Sequence, residues 1–423
     1  MTRTADVFSA DAGRMDEYID VVIAGGGPVG AVLAHALAPL ALSPLNPDGL
    51  KILHVRDAPR NGALPAERPI ALSWGSRLML QRLGLWQSLP ATAITSIHVS
   101  QQKGFGRTLI SAADHAIDAL GYVVSYRDLA AIADAVGIAT QTGRVTDWEV
   151  HADSVELHTD DADSNAGLRT RLLVLADGGR RGTNPGGAAT STDAGKDRVK
   201  DYGQSAVVCE VQSALPHGNR AWERFSPQGP LALLPFRDRH ALVWTSRTAT
   251  AERLAALDDE LFLQELQAAF GQRLGRFRHA GARTLFPLSL RYHAPEAGAR
   301  VIAVGNAAQT LHPVAGQGLN LGLRDAWELA ELLAGLAGEQ HAPGKTLQRA
   351  DPGSADFARR YAQRRQLDRR ALVRLTDGLV SAFSIDLPFA STVRGAALAF
   401  LDIAPAARRF LSRRMMFGAR ALP

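Results

Sequence analysis

The sequence VIAVGNAAQTLHPVAGQGLNLGLRDA, at residues 301–326, contains a short apolar run followed by a glycine-rich turn. The run at 301–304 predicts a strand, and the segment that begins near Gly318 predicts a helix. A strand that enters a helix through small residues leaves backbone N–H groups free at the helix N-terminus, where an anion or a polarised oxygen binds. The stretch therefore predicts an α/β unit with a ligand site at its turn.

A second stretch, DVVIAGGGPVGAVLAHAL at residues 20–37, has the same order of strand, turn and helix. Its glycines fit the dinucleotide-binding pattern G-x-G-x-x-G. Gly25 permits a tight turn, Gly27 lets the backbone approach a pyrophosphate, and Gly30 lets the helix pack closely on the strand. A turn without a ligand is the alternative, but the flanking apolar strand and alanine-rich helix favour binding. The two stretches lie roughly 275 residues apart and fit the two ends of one long cofactor.

The ribose of a bound dinucleotide usually contacts an acid at the end of the second strand. That strand is predicted at residues 51–55 (KILHV), so the expected position holds Arg56, and Asp57 follows it. Either Asp57 binds the ribose after a one-residue shift, or the adenosine end is held in another way.

The stretch 301–326 resembles the second flavin motif of the class A flavoprotein monooxygenases, which usually reads G-D-A-A-H-x-x-x-P-x-x-G-Q-G-x-N. Asn306 and Gln309 replace its Asp and His. Both replacements match one branch of the family, the ubiquinone-biosynthesis hydroxylases, and within it the 2-polyprenyl-6-methoxyphenol hydroxylase group. The likeness spans roughly residues 20–420. Five further segments resemble that group in the same order, at residues 68–86, 94–106, 119–124, 201–208 and 223–235.

This resemblance implies an α/β fold like that of p-hydroxybenzoate hydroxylase. A Rossmann-like FAD-binding domain would carry an inserted, mostly antiparallel β-sheet domain for the substrate, followed by C-terminal helices. The cofactor would be FAD, and NAD(P)H would be a co-substrate. The residues assigned to cofactor binding are Gly25, Gly27, Pro28, Gly30, Arg56, Asp57, Arg68, Tyr126, Asp177, Gly178, Asn306, Gly316, Gln317, Gly318, Leu319 and Asn320.

Some of these assignments have alternatives. Asp177 and Gly178 correspond to the family's A-D-G element, whose Asp serves flavin and nicotinamide binding, but Asp-Gly is also a common turn. Arg68 corresponds to an arginine beside the flavin, where a guanidinium pairs with phosphate or ribose oxygens and covers the ring system; a surface arginine is the alternative. Tyr126 stands where the family often has Arg or Asn facing the adenosine half, and Arg127 is adjacent.

The implied chemistry is oxygen insertion into an activated ring: NAD(P)H reduces the flavin, O2 gives a flavin C4a-hydroperoxide, and the ring of a phenol attacks its distal oxygen. A base near the hydroxyl would help, because a phenolate reacts faster than a phenol. We predict catalytic roles for His312, Pro313 and Gln317. Pro313 would form a wall at the ring edge, Gln317 would bring an N–H group to the flavin pyrimidine, and His312 is the candidate base, with loop orientation as its alternative role. His98 and Tyr202 are weaker candidates for the base.

Composition indicates a globular protein long enough for two domains, with 423 residues of which 46% are hydrophobic and 21% charged. We find no run of about 20 apolar residues and no signal peptide, so we expect a cytoplasmic protein without a transmembrane helix. No G-x-S-x-G elbow and no H-E-x-x-H signature occurs, and we expect no metal site. The single cysteine, Cys209, lies in an apolar run that predicts a buried, unreactive thiol.

The order of predicted elements indicates a discontinuous cofactor domain with an inserted sheet domain. Helices are predicted over 128–136 and near 251–274, and the polar stretches 182–200 and 341–355 predict loops. The predicted parts are a polar extension (1–19), FAD-binding segments (20–93, 113–182 and 299–340), substrate-domain segments (94–112 and 200–298) and a C-terminal helical region (355–423).

The C-terminal part is strongly cationic. Residues 361–423 contain 11 Arg and no Lys against 4 Asp, a net charge of about +7. Two interpretations stay open: these arginines lie on solvated faces of helices packed on the core, or they form a peripheral patch that binds an anionic membrane surface. No nucleic-acid-binding module accompanies them. The arginine pairs are Arg364-Arg365, Arg369-Arg370, Arg408-Arg409 and Arg413-Arg414.

The resemblance therefore predicts an enzyme that hydroxylates the aromatic ring of a polyprenyl phenol intermediate in ubiquinone biosynthesis, with FAD, NAD(P)H and O2. One alternative is a class A hydroxylase of a soluble aromatic compound. Another is a non-catalytic, flavin-binding scaffold of a ubiquinone-biosynthesis assembly, which only the missing acid at Arg56 favours. Contacts with other ubiquinone-biosynthesis proteins and a homo-oligomer are compatible with the sequence.

Overall fold

In the computed structural model of the chain, the strands sort into three sheets. The structure describes residues 18–43, 46, 48–57, 68–102, 104–132, 137–160, 167–179, 198–292, 300–311, 316–340, 351–384 and 390–418. The strands, in chain order, are β1 Ile19–Ala24, β2 Ile52–Arg56, β3 Pro69–Ser73, β4 Ala91–Ile94, β5 Ser96–Gln101, β6 Arg107–Ser111, β7 Gly121–Ser125, β8 Ala139–Thr142, β9 Val145–Val150, β10 Val155–Thr159, β11 Leu168–Leu175, β12 Arg198–Ser213, β13 Arg220–Ser226, β14 Gly229–Phe236, β15 Arg239–Arg247, β16 Phe277–Ala280, β17 Thr284–Tyr292, β18 Val301–Ala303 and β19 Gln309–Thr310. The helices are α1 Pro28–Leu37, α2 Trp74–Arg82, α3 Tyr126–Ile132, α4 Thr248–Ala256, α5 Asp259–Phe270, α6 Gln317–Gln340, α7 Ala355–Ser384, α8 Ala390–Ile403 and α9 Pro405–Phe417.

The first sheet has the order β8-β2-β1-β11-β10-β9, and β18 pairs with β11. The pairs β8–β2, β2–β1, β1–β11 and β11–β18 are parallel. The inner strands are continuous apolar runs, such as IDVVIA in β1, because parallel strands are covered on both faces. Leu33 of α1 and Leu329 and Leu333 of α6 share one buried core with these strands. Both glycine turns therefore lie at the carboxyl ends of parallel strands, where α/β proteins bind their ligands.

The second sheet has the order β19-β17-β12-β15-β14-β13-β5-β6, with β16 beside β12. Its pairs are antiparallel except β13–β5. The helices α4 and α5 cover one face, where Cys209, Trp244 and Phe262 share a core. The prediction of a buried thiol is confirmed, and burial raises the pKa of Cys209 to about 12. Because side chains alternate along a strand, the opposite face is left to line a cavity.

The third sheet and the C-terminal helices complete the fold. The antiparallel sheet β3-β7-β4 leads into α2, whose N-terminus is capped by Ser73. The long helix α7 packs on α6, α8 packs on β6 and β5, and α9 packs on α2 and β3. The last two helices therefore connect the edge of the second sheet with the third sheet.

Most predicted elements are present, and two of them have different limits. The helix predicted near 251–274 is two helices, because Leu257 is extended and Asp258 caps the N-terminus of α5. The helix predicted over 128–136 begins earlier, at Tyr126, and residues 133–136 lie outside the described part of the chain.

The two predicted loops fall mostly on residues outside the described ranges, at 180–197 and 341–350. Residues 198–200 are described, and there the loop prediction is wrong, because they extend β12 and pair with β17. Among the described helices, none combines the length and the apolar character needed to cross a bilayer.

Candidate active site

A cavity of about 1070 Å³ lies between the carboxyl ends of the first sheet, β3, the open face of the second sheet and the C-terminal helices. Its volume is at the upper end of the range of small-molecule sites, about 300–1,000 Å³. Every residue predicted to bind the cofactor lines this cavity except Gly30. Among the residues predicted to be catalytic, Gln317 lines it, and His312 and Pro313 lie outside the described residues.

The turn after β1 requires glycine at two positions and leaves open space at a third. Gly25 has φ +130°, and a Cβ there would lie 2.5 Å from the Ala176 carbonyl oxygen. A Cβ at Gly30 would lie 2.2 Å from the Gly25 carbonyl oxygen, so α1 packs closely against the turn. At Gly27, no described atom lies within 4 Å of an added Cβ. Pro28 begins α1 with its φ already suited to a helix. The N-terminus of this helix therefore lines the cavity, as a pyrophosphate site requires.

The turns after β18 and β11 lie next to each other. Gly305 adopts φ +61° in a short 3-10 turn, and the exposed Asn306 that follows it lines the cavity. An added Cβ at Gly179 would lie 2.7 Å from the Asn306 carbonyl oxygen. Asp177 accepts a hydrogen bond from the Gly179 N–H at 3.0 Å, which fixes the predicted Asp-Gly element as a turn that also lines the cavity. The neighbouring Gly178 has open space where a Cβ would be.

The start of α6 is held by the side chain of Asn320. Its Oδ1 accepts hydrogen bonds from the Ser73 N–H at 2.8 Å and the Ser76 hydroxyl at 2.7 Å. Its Nδ2 donates to the carbonyl oxygens of Ala71 at 3.0 Å and Gly316 at 2.8 Å. A primary amide has two donors and one oxygen with two lone pairs, so all are in use. Asn320, predicted to bind the cofactor, therefore uses its side chain to join β3, α2 and the Gly316 turn.

A buried network of charged side chains supports the turn that begins at Gly305. Asp325 of α6 is fully buried and accepts hydrogen bonds from the Gly305 N–H at 3.1 Å and the Gln309 amide at 2.8 Å. It also pairs with Arg365 at 2.7 Å and Arg369 at 3.1 Å, both buried on α7. Burial alone would raise the pKa of Asp325, but the two guanidinium groups hold it below its usual value. Two of the eleven C-terminal arginines therefore serve the fold.

The adenosine side of the cavity contains a carboxylate held by an unpredicted partner. Asp57 lines the cavity and accepts a hydrogen bond from the Arg144 guanidinium at 3.0 Å. Arg56 also lines the cavity, and its Cβ lies 3.0 Å from where a Cβ on Gly26 would be. The structure thus adds Arg144, which precedes β9, to the candidates for this end of the cofactor.

Arg68 and Tyr126 lie together at the next part of the cavity. The Tyr126 N–H donates to the Arg68 carbonyl oxygen at 2.8 Å. The Arg68 guanidinium carbon lies 4.4 Å from the centroid of Phe286, a residue of β17 that also lines the cavity. An arginine stacked on an aromatic ring is oriented by it. Arg68 therefore stands between the cofactor turns and the second sheet.

The wall formed by the second sheet is mostly apolar. Two rows of side chains cross it, each made of residues at adjacent positions on neighbouring strands. Among the described residues of this wall, the only titratable side chain that lines the cavity is that of Glu223. The rows are Phe225, Pro230, Thr245, Ala206 and Phe286, and Val99, Glu223, Ala232, Val243 and Val208.

Two residues predicted as weaker candidates for the base lie elsewhere. His98 is buried on the opposite face of the sheet, with its ring 4.7 Å from that of Trp222, and burial together with Arg273 lowers its pKa to about 4. Tyr202 donates a hydrogen bond to Asp377 at 3.2 Å, and burial and this carboxylate raise its pKa. Neither side chain lines the cavity, so both of these predictions are wrong. Which face of the sheet a side chain points to depends on its position along the strand, and a single residue does not indicate this.

The C-terminal helices close the far end of the cavity, which the sequence did not indicate. Their apolar side chains, rather than the arginines beside them, face inward. The lining residues from α8 and α9 are Leu398, Leu401, Leu411, Ser412, Met415 and Met416.

The residues present fit FAD. Three glycines that line the cavity, Gly27, Gly178 and Gly318, have no described atom within 4 Å of where a Cβ would be, and two of them stand at helix N-termini. The cradle runs from the adenosine side at Asp57 to the start of α6, with the apolar wall beyond it. A long dinucleotide with a pyrophosphate in its middle matches this arrangement.

Comparisons with known proteins agree with this geometry. The FAD binding domain family matches residues 18–365. Ubiquinone hydroxylase UbiL of Rhodospirillum rubrum is 32% identical over 95% of this chain and 91% of that protein. The mitochondrial ubiquinone biosynthesis monooxygenase COQ6 of Mus musculus is 29% identical over 87% of this chain and 85% of that protein.

A solved structure shows the same fold. The p-nitrophenol 4-monooxygenase PnpA from Pseudomonas putida DLL-E4 superposes with a TM-score of 0.68 at 17% identity, covering 96% of this chain and all of that one. The mixed α/β fold predicted from the resemblance is confirmed. The chain belongs to the FAD binding domain family of flavoprotein monooxygenases, in the group that contains the ubiquinone-biosynthesis hydroxylases.

Proposed function

We propose that this chain hydroxylates the aromatic ring of a polyprenyl phenol in ubiquinone biosynthesis, using FAD, NAD(P)H and O2, at the surface of an anionic membrane. The observation that carries the proposal is a continuous cavity that joins the dinucleotide turns to an apolar wall and ends between the C-terminal helices. The relatives named as ubiquinone-biosynthesis enzymes support the substrate class.

The cofactor would lie along the glycine turns. We infer that Gly25, Gly27 and Pro28 hold the pyrophosphate, and that Arg56 or Asp57, with Arg144, holds the adenosine end. Asp177, Gly178 and Asn306 would contact the ribityl chain, and Gln317, Gly318 and Leu319 the pyrimidine side. Arg68 and Tyr126 would flank the cofactor. Gly316, directly before α6, would let the start of that helix lie close to the cofactor. Bound FAD supplies the reduction by NAD(P)H and the activation of O2; the protein orients the ring and excludes water.

The lining of the cavity favours a lipid substrate over a soluble acidic aromatic compound. A carboxylated substrate needs a cation beside it, yet Arg56 and Arg144 stand on the cofactor side of the cavity. The third described cation of the lining, Arg68, stands at the boundary with the wall, where it is stacked on Phe286. The ring and the first isoprenoid units would instead meet valine, leucine and phenylalanine side chains, whose burial of apolar surface drives binding.

The same helices that close the cavity carry an exposed apolar surface, here called the C-terminal surface: Val393, Phe400, Ile403 and Phe410. Ile403 is 79% exposed and Phe410 64% exposed. Three exposed arginines of α9 stand beside them, here called the α9 arginines: Arg409, Arg413 and Arg414. Apolar side chains flanked by cations suit the headgroup region of an anionic bilayer. A polyprenyl tail would pass from the cavity between α8 and α9 into the membrane.

The structure reduces the number of arginines that are candidates for binding the membrane. Arg408, from the same cluster, pairs with Asp114 at 3.2 Å and donates to the Asp402 carbonyl oxygen at 2.7 Å, so it serves the packing of α9. The electrostatic attraction rests on the α9 arginines.

Turnover in vesicles tests the proposal. The holoenzyme, mixed with vesicles that contain phosphatidylglycerol and a polyprenyl phenol, should oxidise NAD(P)H faster than without the phenol and release a hydroxylated product. A flavin-binding scaffold would show no stimulation. An enzyme for soluble aromatics would turn over a carboxylated phenol faster than the prenylated one, and either result would contradict the proposal.

A further inference from the structure

Glu223 is the only described titratable side chain on the apolar wall that the second sheet forms. On β13, Trp222 and Arg224 point toward α5: Trp222 joins the core there, and the Arg224 guanidinium donates to the Ala269 carbonyl oxygen at 3.0 Å. Glu223, between them in sequence, points to the opposite face and lines the cavity. Its partners on the adjacent strands are Val99 and Ala232.

No described residue offers the Glu223 carboxylate a hydrogen bond or an ion pair. An ionised carboxylate in apolar surroundings is costly, so burial raises the pKa of Glu223 to about 7. The other described titratable residues of the cavity lie outside this wall, on the cofactor side or, for Arg68, at its boundary with the wall: Arg56, Asp57, Arg68, Tyr126, Arg144 and Asp177. A carboxylate that the fold holds in apolar surroundings without a partner lowers stability unless a ligand binds to it, and such groups are common at functional sites.

A second polar atom without a described partner lies on the same wall. Thr108 of β6 is 2% exposed, and no described residue hydrogen-bonds its hydroxyl. It pairs with Val99, which pairs with Glu223, so the three residues share one row of the sheet. Two strand spacings place the Cα atoms of Thr108 and Glu223 about 10 Å apart. Val99 lies between them in the row, so an aromatic ring bound over Val99 would bring its oxygen substituents toward both side chains.

We propose that Glu223 is the catalytic base of the hydroxylation, accepting a hydrogen bond from the substrate's phenol hydroxyl and taking its proton as the ring reacts. This inference rests on the proposed function. A phenol titrates near pH 10, as tyrosine does, so at neutral pH it reaches the site protonated. A carboxylate that titrates near neutrality is well matched to accept that proton reversibly.

The step balances as follows. The phenol proton moves to Glu223 while the ring carbon forms a bond to one oxygen atom derived from O2 and the O–O bond breaks. That carbon then loses its own proton to solvent, and Glu223 returns its proton to the ring oxygen, which restores the aromatic diol and the carboxylate. The other oxygen atom leaves as water; NAD(P)H supplies the two electrons, and solvent supplies the one proton that the overall reaction consumes.

Glu223→Gln keeps the shape of the side chain and removes the base. With the holoenzyme and a short-tailed prenyl phenol, kcat should fall by about 100-fold or more, with FAD content unchanged. Wild-type turnover should decrease as the pH falls through about 7, because the carboxylate becomes protonated, and this acid limb should be absent in Glu223→Gln. Glu223→Asp should restore part of the rate. Glu252→Gln, an exposed position on α4, is the matched control and should keep both the rate and the profile.

Binding without turnover separates this inference from the proposed function. The flavin absorbance change on adding the phenol, without NAD(P)H, should report tighter binding above pH 7 than below it in the wild type and no such difference in Glu223→Gln. If the wild type binds with this pH dependence but never hydroxylates the phenol, the proposed function fails and the contact stands. If Glu223→Gln keeps the wild-type rate and acid limb, or binds the phenol with the wild-type pH dependence, Glu223 is not the base.

Discussion

Removing the Asp325 carboxylate should destabilise the cofactor domain and weaken its binding of FAD. Asp325→Ala would leave Arg365 and Arg369 buried without their shared partner, and the Gly305 N–H without an acceptor. Breaking a buried ion pair by removing one member costs about 3–5 kcal/mol. Because Gly305 begins the turn that carries Asn306 into the cavity, loss of stability should be accompanied by release of FAD.

Thermal unfolding followed by flavin fluorescence measures both effects. For a domain of about 150–250 residues, 1 kcal/mol lowers the midpoint by about 2–4 °C, so the expected decrease is about 6–20 °C. The matched control is Glu265→Ala, which removes an exposed pair with Arg253 at 2.9 Å and should cost at most about 1 kcal/mol.

The pH dependence gives an independent check. The folded protein holds the pKa of Asp325 below its unfolded value, so this stabilisation is present at neutral pH and is lost as the pH falls through the folded pKa. The difference in thermal midpoint between the wild type and Asp325→Ala should therefore become smaller at acidic pH. If Asp325→Ala and Glu265→Ala lower the midpoint equally, the buried network does not hold the turn.

Further predictions concern the turns and the C-terminal surface. Gly27→Val should abolish FAD retention, measured by the absorbance ratio of flavin to protein, because the new side chain would occupy the open space at the start of α1. Gly318→Val should weaken flavin binding or slow its reduction while the thermal midpoint stays near normal, and normal flavin content and turnover in both valine variants would remove these turns from the site. Asn320→Ala should lower FAD affinity through disorder at the start of α6 without removing a cofactor contact, so stability and FAD affinity should fall together; a loss of affinity at unchanged stability would contradict this. Replacing the three α9 arginines by Gln should weaken sedimentation with phosphatidylglycerol vesicles by about two orders of magnitude at low salt, since each contributes about 1 kcal/mol, and should slow turnover of a long-tailed substrate but not of a short-tailed one; unchanged vesicle binding would assign these arginines to the fold.

The cofactor half of the site was predictable because its determinants are local. A glycine turn between a strand and a helix is written in consecutive residues, and the carboxyl ends of parallel strands necessarily meet at one edge of the sheet. Gly25 and Gly27 could therefore be placed in one turn before the fold was known, and both line the cavity. The role of Asn320 was less accessible, because three of the four partners of its amide, at Ala71, Ser73 and Ser76, lie about 250 residues earlier in the chain.

The substrate half depends on contacts distant in sequence. Glu223 faces the cavity and His98 does not, and only the register of β13 against β5 decides which. A shift of β5 by one residue would turn His98 to the cavity face. The inward side of α8 and α9 was equally hidden, because their cationic residues dominate the sequence pattern while Leu401 and Met415 line the cavity. The sequence shows the net positive charge of residues 361–423 but not which of its arginines are exposed. Arg365 and Arg369 are buried partners of Asp325.

The central claim is that this chain transfers one atom of O2 to the ring of a prenylated phenol. Incubating the purified holoenzyme with NAD(P)H, isotopically labelled O2 and a polyprenyl phenol, followed by mass spectrometry of the lipid extract, tests it most directly. The account predicts a product that carries one labelled oxygen atom on the ring, formed only when NAD(P)H is present. Oxidation of NAD(P)H that yields hydrogen peroxide and leaves the phenol unlabelled, with FAD fully bound, would contradict it.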